Sequence, residues 1–148
     1  MIYEDLVPVY FSHPTEVPTA GWRWENFIPE EIASNGDGSV LIVPLFLDKM
    51  QLLRRLAGHP LVITSWYRDP VYNKRISSTG LKGPHTTGRA ADIGISGAAA
   101  YALIEHIPAC GFTGCGISQK GSYSSRFIHV DDLEKEDGFP TRPGIWSY

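Results

Sequence analysis

Three residues in two short blocks are of the kinds that hold a catalytic metal. The first block, Gly83-Pro84-His85-Thr86-Thr87-Gly88-Arg89-Ala90-Ala91-Asp92-Ile93, carries His85 and Asp92. The second, Phe127-Ile128-His129-Val130-Asp131, carries His129. Two imidazoles and a carboxylate are a ligand set for a catalytic zinc with one position left open for water or substrate. If they meet in space, the chemistry is metal-assisted hydrolysis and most of the chain is the scaffold that brings them together.

The elements that must position them follow from side-chain periodicity. Residues 90–95 and 126–132 read as short strands. Strand alternation places Phe127, His129 and Asp131 on one face, with Ile128 and Val130 on the other, toward a core. Asp92 shares a face with Gly94, while Ile93 and Ile95 point the opposite way. Both strands thus bury branched aliphatics on one side and present metal-type side chains on the other. Gly88 lets the backbone turn between His85 and Asp92.

Around these strands, Pro29-Glu30-Glu31 reads as a first helical turn. Residues 43–57 read as the main helix, with Leu45, Phe46, Met50, Leu52, Leu53 and Leu56 forming one apolar face and Gly58 ending it. Residues 61–66 predict a strand from their β-branched content, 97–107 a helix and 114–118 a strand. Residues 70–88 read as a long loop rich in Gly, Ser and Thr. This order predicts an α+β fold, a small, mainly antiparallel sheet packed against helices. Residues 1–28, with Pro8, Pro14 and Pro18, predict an N-terminal arm packed on the domain through Trp22, Trp24 and Phe27. Residues 29–148 then form a single domain.

Composition narrows the function classes. The chain has 148 residues, 43% of them hydrophobic and 20% charged, which suits one core. Its net charge is −3 and no basic cluster is present, so nucleic acid is not an expected partner. No apolar run is long enough to span a membrane. Met1-Ile2-Tyr3-Glu4-Asp5 lacks the basic and apolar regions of a secretory signal. Cys110 and Cys115 are too few for a disulfide framework and read as buried free thiols.

Taken in order, Ser65-Trp66-Tyr67-Arg68, Asn73, His85 and Asp92 with Gly88 and Ala90 between them, Phe127-Ile128-His129-Val130-Asp131 and Trp146 form a specific set. With it the chain resembles the zinc D-Ala-D-Ala peptidase family, above all its phage-lysin and murein-peptidase branch, over residues 25–147. The resemblance implies a fold of the Hedgehog/DD-peptidase type, with Zn2+ held by His85, Asp92 and His129. It implies hydrolysis of the peptide stem of bacterial peptidoglycan, as a DD-carboxypeptidase or endopeptidase. Arg68 matches the family's arginine that holds the substrate carbonyl or carboxylate, a task suited to a fixed fork of donors. Asn73 is expected to pin the long loop. The family branch further implies an endolysin or virion-associated lysin, located in the host cytoplasm before lysis or in the phage virion. The arm would then contact other virion proteins. The alternative is a non-catalytic phage structural or binding protein that keeps the fold, with or without the zinc.

Three positions depart from the family's pattern. An acidic base often precedes the last ligand by three residues, where this chain has Arg126. That leaves Asp131 as a candidate for the base, or for a partner that orients the ligand. Tyr123, in the turn before the last strand, is a candidate hydrogen-bond donor at the open zinc position. A serine often stands two residues before the first ligand, where this chain has Gly83. An arginine commonly follows the His-x-Asp motif by two residues, where this chain has Leu133.

Overall fold

The computed structural model describes residues 2–148. Two short strands, β1 (Val9–Phe11) and β2 (Val40–Ile42), pair antiparallel at one side. The main sheet is built from β3 (Val62–Ser65), β4 (Ala90–Gly94), β5 (Gly114–Ser118), β6 (Phe127–Asp131) and β7 (Gly144–Ser147). Their spatial order is β3-β4-β6-β5-β7, antiparallel throughout except that β7 lies parallel to β5. Four α-helices, α1 (Pro29–Ile32), α2 (Pro44–Ala57), α3 (Pro70–Ile76) and α4 (Gly97–His106), complete the expected α+β architecture. No helix among the described residues is long and apolar enough to cross a membrane.

The core lies on the face of the sheet that carries Ile93, Ile128 and Val130, all fully buried. Trp66 sits at its centre, with Phe27 and Phe46 meeting its ring edge-on at 5.4 and 5.6 Å. Residues of the N-terminal segment join this core: Tyr3, Val17, Trp24 and Phe27 are buried, and Trp22 packs edge-on against Trp24 at 4.9 Å. Cys110 and Cys115 are buried free thiols.

Two expectations need correction. The first concerns α2, where Phe46, Leu47, Met50 and Leu53 are buried while Leu45, Leu52 and Leu56 are exposed by 50, 41 and 45%. At about 100° per residue, the three exposed leucines fall on a flank turned away from the buried set. Phe46 is the residue that engages Trp66 and Phe112.

The second concerns residues 70–88, which are not a structureless loop. They form α3 and two 3-10 turns, Gly80–Lys82 and Pro84–Thr87. Asp69 caps α3 by accepting from the Tyr72 amide at 2.9 Å, and Pro70 occupies the first helical position. Burial alone would raise the Asp69 pKa, but hydrogen bonds from the Ser34 hydroxyl and the Tyr72 and Asp37 amides hold it below the usual carboxylate value. Asn73 is fully buried and donates to Thr79 Oγ1 and the Gly80 carbonyl at 2.9 and 2.6 Å, pinning the Gly80–Lys82 turn to α3.

That packing explains Gly83. A Cβ there would overlap the Thr79 side chain and lie 2.8 Å from Asn73 Nδ2, so a serine has no room.

Two stability measurements check these assignments. In urea denaturation, Phe46→Ala is expected to cost about 3–5 kcal/mol and Leu45→Ala under about 1 kcal/mol; equal losses would contradict the assigned core face. Gly83→Ser is expected to cost about 1–3 kcal/mol, with much of the loss relieved in a Thr79→Gly background. Full additivity of the two changes would contradict the clash.

Candidate metal centre

One row of residues crosses the main sheet from edge to edge. Ser65 lies opposite Asp92, Asp92 opposite His129, His129 opposite Gly116, and Gly116 beside Trp146. These side chains project from the face opposite Ile128 and Val130, as strand alternation requires. A Cβ on Gly116 would sit 2.6 Å from the Trp146 indole nitrogen, so only glycine lets the tryptophan lie across the sheet toward His129. The rings of His129 and Trp146 are 5.3 Å apart.

His85 reaches this row from the 3-10 turn Pro84–Thr87. Gly88, at φ 73°, ends the turn in the left-handed region and lets the chain double back into β4. His85 Nδ1 lies 2.6 Å from the Trp66 carbonyl oxygen, and the Arg68 amide donates to the His85 carbonyl at 3.1 Å. With Nδ1–H donating to Trp66, the lone pair on Nε2 faces the site.

The three candidate ligands converge. His85 Nε2 and His129 Nδ1 lie 3.3 and 3.0 Å from Asp92 Oδ1. All three ligand atoms fall within 4.8 Å of one another. All three residues are buried, at 5, 8 and 3% exposure for His85, Asp92 and His129. Burial pushes the His85 pKa below the usual imidazole value, against the pull of Asp92. Burial alone would raise the Asp92 pKa, but the His129 hydrogen bond, with the His85 ring beside it, holds its carboxyl well below the usual range. His129 is raised, because its two carboxylate neighbours, Asp131 and Asp92, outweigh burial.

Asp131 stands on the far side of the His129 ring, with Oδ2 2.8 Å from Nε2. It is fully buried and is paired by Arg142 through two hydrogen bonds, at 2.9 and 2.7 Å. It therefore faces neither the ligand cluster nor solvent. Arg68 does face the cluster. Its guanidinium donates to Ser65 Oγ, Asn73 Oδ1 and Asp92 Oδ2 at 2.9, 3.2 and 3.4 Å.

A cavity of about 890 Å³ opens over the cluster. Arg68, Lys82, Phe127, Ile145, Trp146 and Tyr148 contribute to its walls beside the three ligands. Tyr123 is not in those walls; it is 71% exposed, with the Arg126 guanidinium 4.2 Å over its ring. Arg126 is spent on this contact and on the Gly121 carbonyl.

Sequence reasoning missed Arg142 and Tyr148 altogether, and passed over Gly114 and Gly116. The only signal for the glycines was their alternation around Cys115, which predicts a bare strand face opposite large side chains.

Comparison with known proteins agrees with this geometry. A family model, Peptidase M15, matches residues 25–131. No curated protein and no solved structure matches the chain. The matched stretch contains α2, four strands of the main sheet and all three candidate ligands. The chain therefore belongs to the peptidase M15 family, the zinc D-Ala-D-Ala peptidase family that its motifs resemble.

Proposed function

We propose that this protein is a zinc peptidase that hydrolyses the peptide stem of bacterial peptidoglycan, as a DD-carboxypeptidase or endopeptidase. The observation that carries the reading is the convergence of His85, Asp92 and His129, each with one ligand atom within 4.8 Å of the others. Ligands about 2.0–2.1 Å from a tetrahedral zinc lie about 3.3 Å from one another. The separations of 3.0 and 3.3 Å from Asp92 Oδ1 fit that requirement. Each imidazole has its other nitrogen engaged, by the Trp66 carbonyl or by Asp131, as metal-binding histidines generally do. Bound there, zinc would polarise a water molecule and the scissile carbonyl.

The chain's own groups then have distinct tasks. Arg68 makes three hydrogen bonds among its five N–H donors, leaving donors for a substrate carbonyl or carboxylate. Among the described residues Lys82 makes no ion pair, and it adds a cation to the cavity wall beside Arg68. Phe127 and Ile145 supply apolar wall for the peptide's side chains. Asp131, shut behind His129, orients that ring and does not meet substrate.

The resemblance to phage lysins supports a role as an endolysin or virion-associated lysin. Its setting would be the host cytoplasm before lysis, or the virion, with residues 1–28 contacting other virion proteins.

One observation favours a second reading. Among the described residues, Asp92 is the only carboxylate that lines the cavity, and Arg126 stands where an acidic base is often found. A non-catalytic phage protein that keeps the fold and the zinc would tolerate that arrangement.

One set of assays separates the two. The protein is loaded with zinc and incubated with peptidoglycan fragments and with a peptide ending in D-Ala-D-Ala, and products are identified by mass spectrometry. The expected result is turnover that chelation and His129→Ala abolish; one bound zinc without turnover would support the second reading. Asp92→Ala is expected to weaken zinc binding by at least about 100-fold in competition with a chromophoric chelator. Lys82→Ala is expected to raise KM several-fold with kcat little changed, since it removes binding that ground and transition states share.

A further inference from the structure

We propose that Arg142 is a positioning residue of the metal centre, setting the His129 ring through Asp131, so that the C-terminal segment completes the site. The inference rests on the zinc reading above. Arg142 and Trp146 lie beyond the stretch matched by the family model, which ends at Asp131.

Asp131 has no exposed surface. A carboxylate in that position needs a counter-charge and hydrogen bonds, because an unpaired buried charge is strongly destabilising. Arg142 supplies both, with Nε on Oδ1 at 2.9 Å and Nη2 on Oδ2 at 2.7 Å. The same Oδ2 takes His129 Nε2 at 2.8 Å. A carboxylate matched by a guanidinium offers only acceptors, so the imidazole meets it with Nε2–H and turns Nδ1 toward Asp92 and His85. The fork geometry of the guanidinium fixes the carboxylate plane, and the carboxylate in turn fixes the ring.

The sheet is built to receive this pair. The register neighbours of Asp131 are Ala90 and Gly114, the smallest side chains available. A Cβ on Gly114 would overlap Asp131 Oδ1 and come within 2.6 Å of Arg142 Nε. Above, the guanidinium lies 4.6 Å from the Trp146 ring and 5.5 Å from the Phe139 ring, and donates to Thr141 Oγ1 at 3.1 Å. Trp146 also packs against His129. One imidazole is thus gripped twice by the same C-terminal segment, at its edge through Arg142 and Asp131 and on its side by Trp146.

The test measures metal binding apart from turnover, by chelator competition for zinc and by the visible absorption spectrum of the cobalt-substituted protein. Arg142→Gln is expected to weaken zinc binding about 10–100-fold and to change the cobalt spectrum. Arg142→Lys, which keeps the charge and loses the fork, is expected to recover part of the loss. Gly114→Ala keeps every charge but forces the pair apart, and is expected to weaken zinc binding and shift the cobalt spectrum in the same direction. It also decides the matter if Arg142→Gln fails to fold by circular dichroism. Folded variants that bind zinc within about threefold of the parent, with an unchanged cobalt spectrum, would overturn the role of Arg142 while leaving the zinc site standing. A parent protein that binds no zinc would overturn the zinc reading, and this role with it.

Discussion

A single carboxylate oxygen shared by two buried imidazoles is the contact on which the rest of this structure turns. Asp92 Oδ1 lies 3.0 Å from His129 and 3.3 Å from His85. Three titratable side chains placed together out of water are costly unless each is matched. Each is matched here: His85 by the Trp66 carbonyl, His129 by Asp131 and Asp92 by Arg68, while Arg142 in turn matches Asp131. Among the described residues no buried side-chain polar atom lacks a hydrogen-bond partner. The network holds three ligand atoms facing one point while leaving the cavity open above them.

The sheet makes that arrangement possible through its two faces. Ile93, Ile128 and Val130 anchor one face in the core, which fixes the register of β4 and β6. A slip of one residue would bury Asp92 and His129 in the aliphatic core and expose Ile93 and Ile128. On the functional face, β5 contributes glycines, and the space they leave is taken by Arg142 and Trp146 arriving from the tail. The parallel pairing of β7 with β5 is what delivers them.

Much of this was legible in the sequence, for an identifiable reason. His129 and Asp92 lie on strands whose two-residue periodicity sorts side chains unambiguously, and they turn out to be direct cross-strand partners. The α+β architecture followed from the same patterning. Less was legible where several faces were equally apolar: Leu45 and Phe46 are adjacent on α2, and only the position of Trp66 decides which one is buried. The region over 70–88 was misread because its Ser and Gly content outweighed the helix-start signal of Asp69-Pro70. Arg142 could not be read at all. Its pairing with Asp131 depends on a parallel strand at the sheet edge, a long-range contact that no local periodicity encodes.

The most direct measurement is X-ray diffraction from zinc-soaked crystals, with anomalous data collected on both sides of the zinc absorption edge. The predicted result is one anomalous peak bonded to His85 Nε2, Asp92 Oδ1 and His129 Nδ1, with His129 Nε2 still held by Asp131. No peak within bonding distance of these three atoms, or a peak on the Nε2 side of His129, would contradict the site described here.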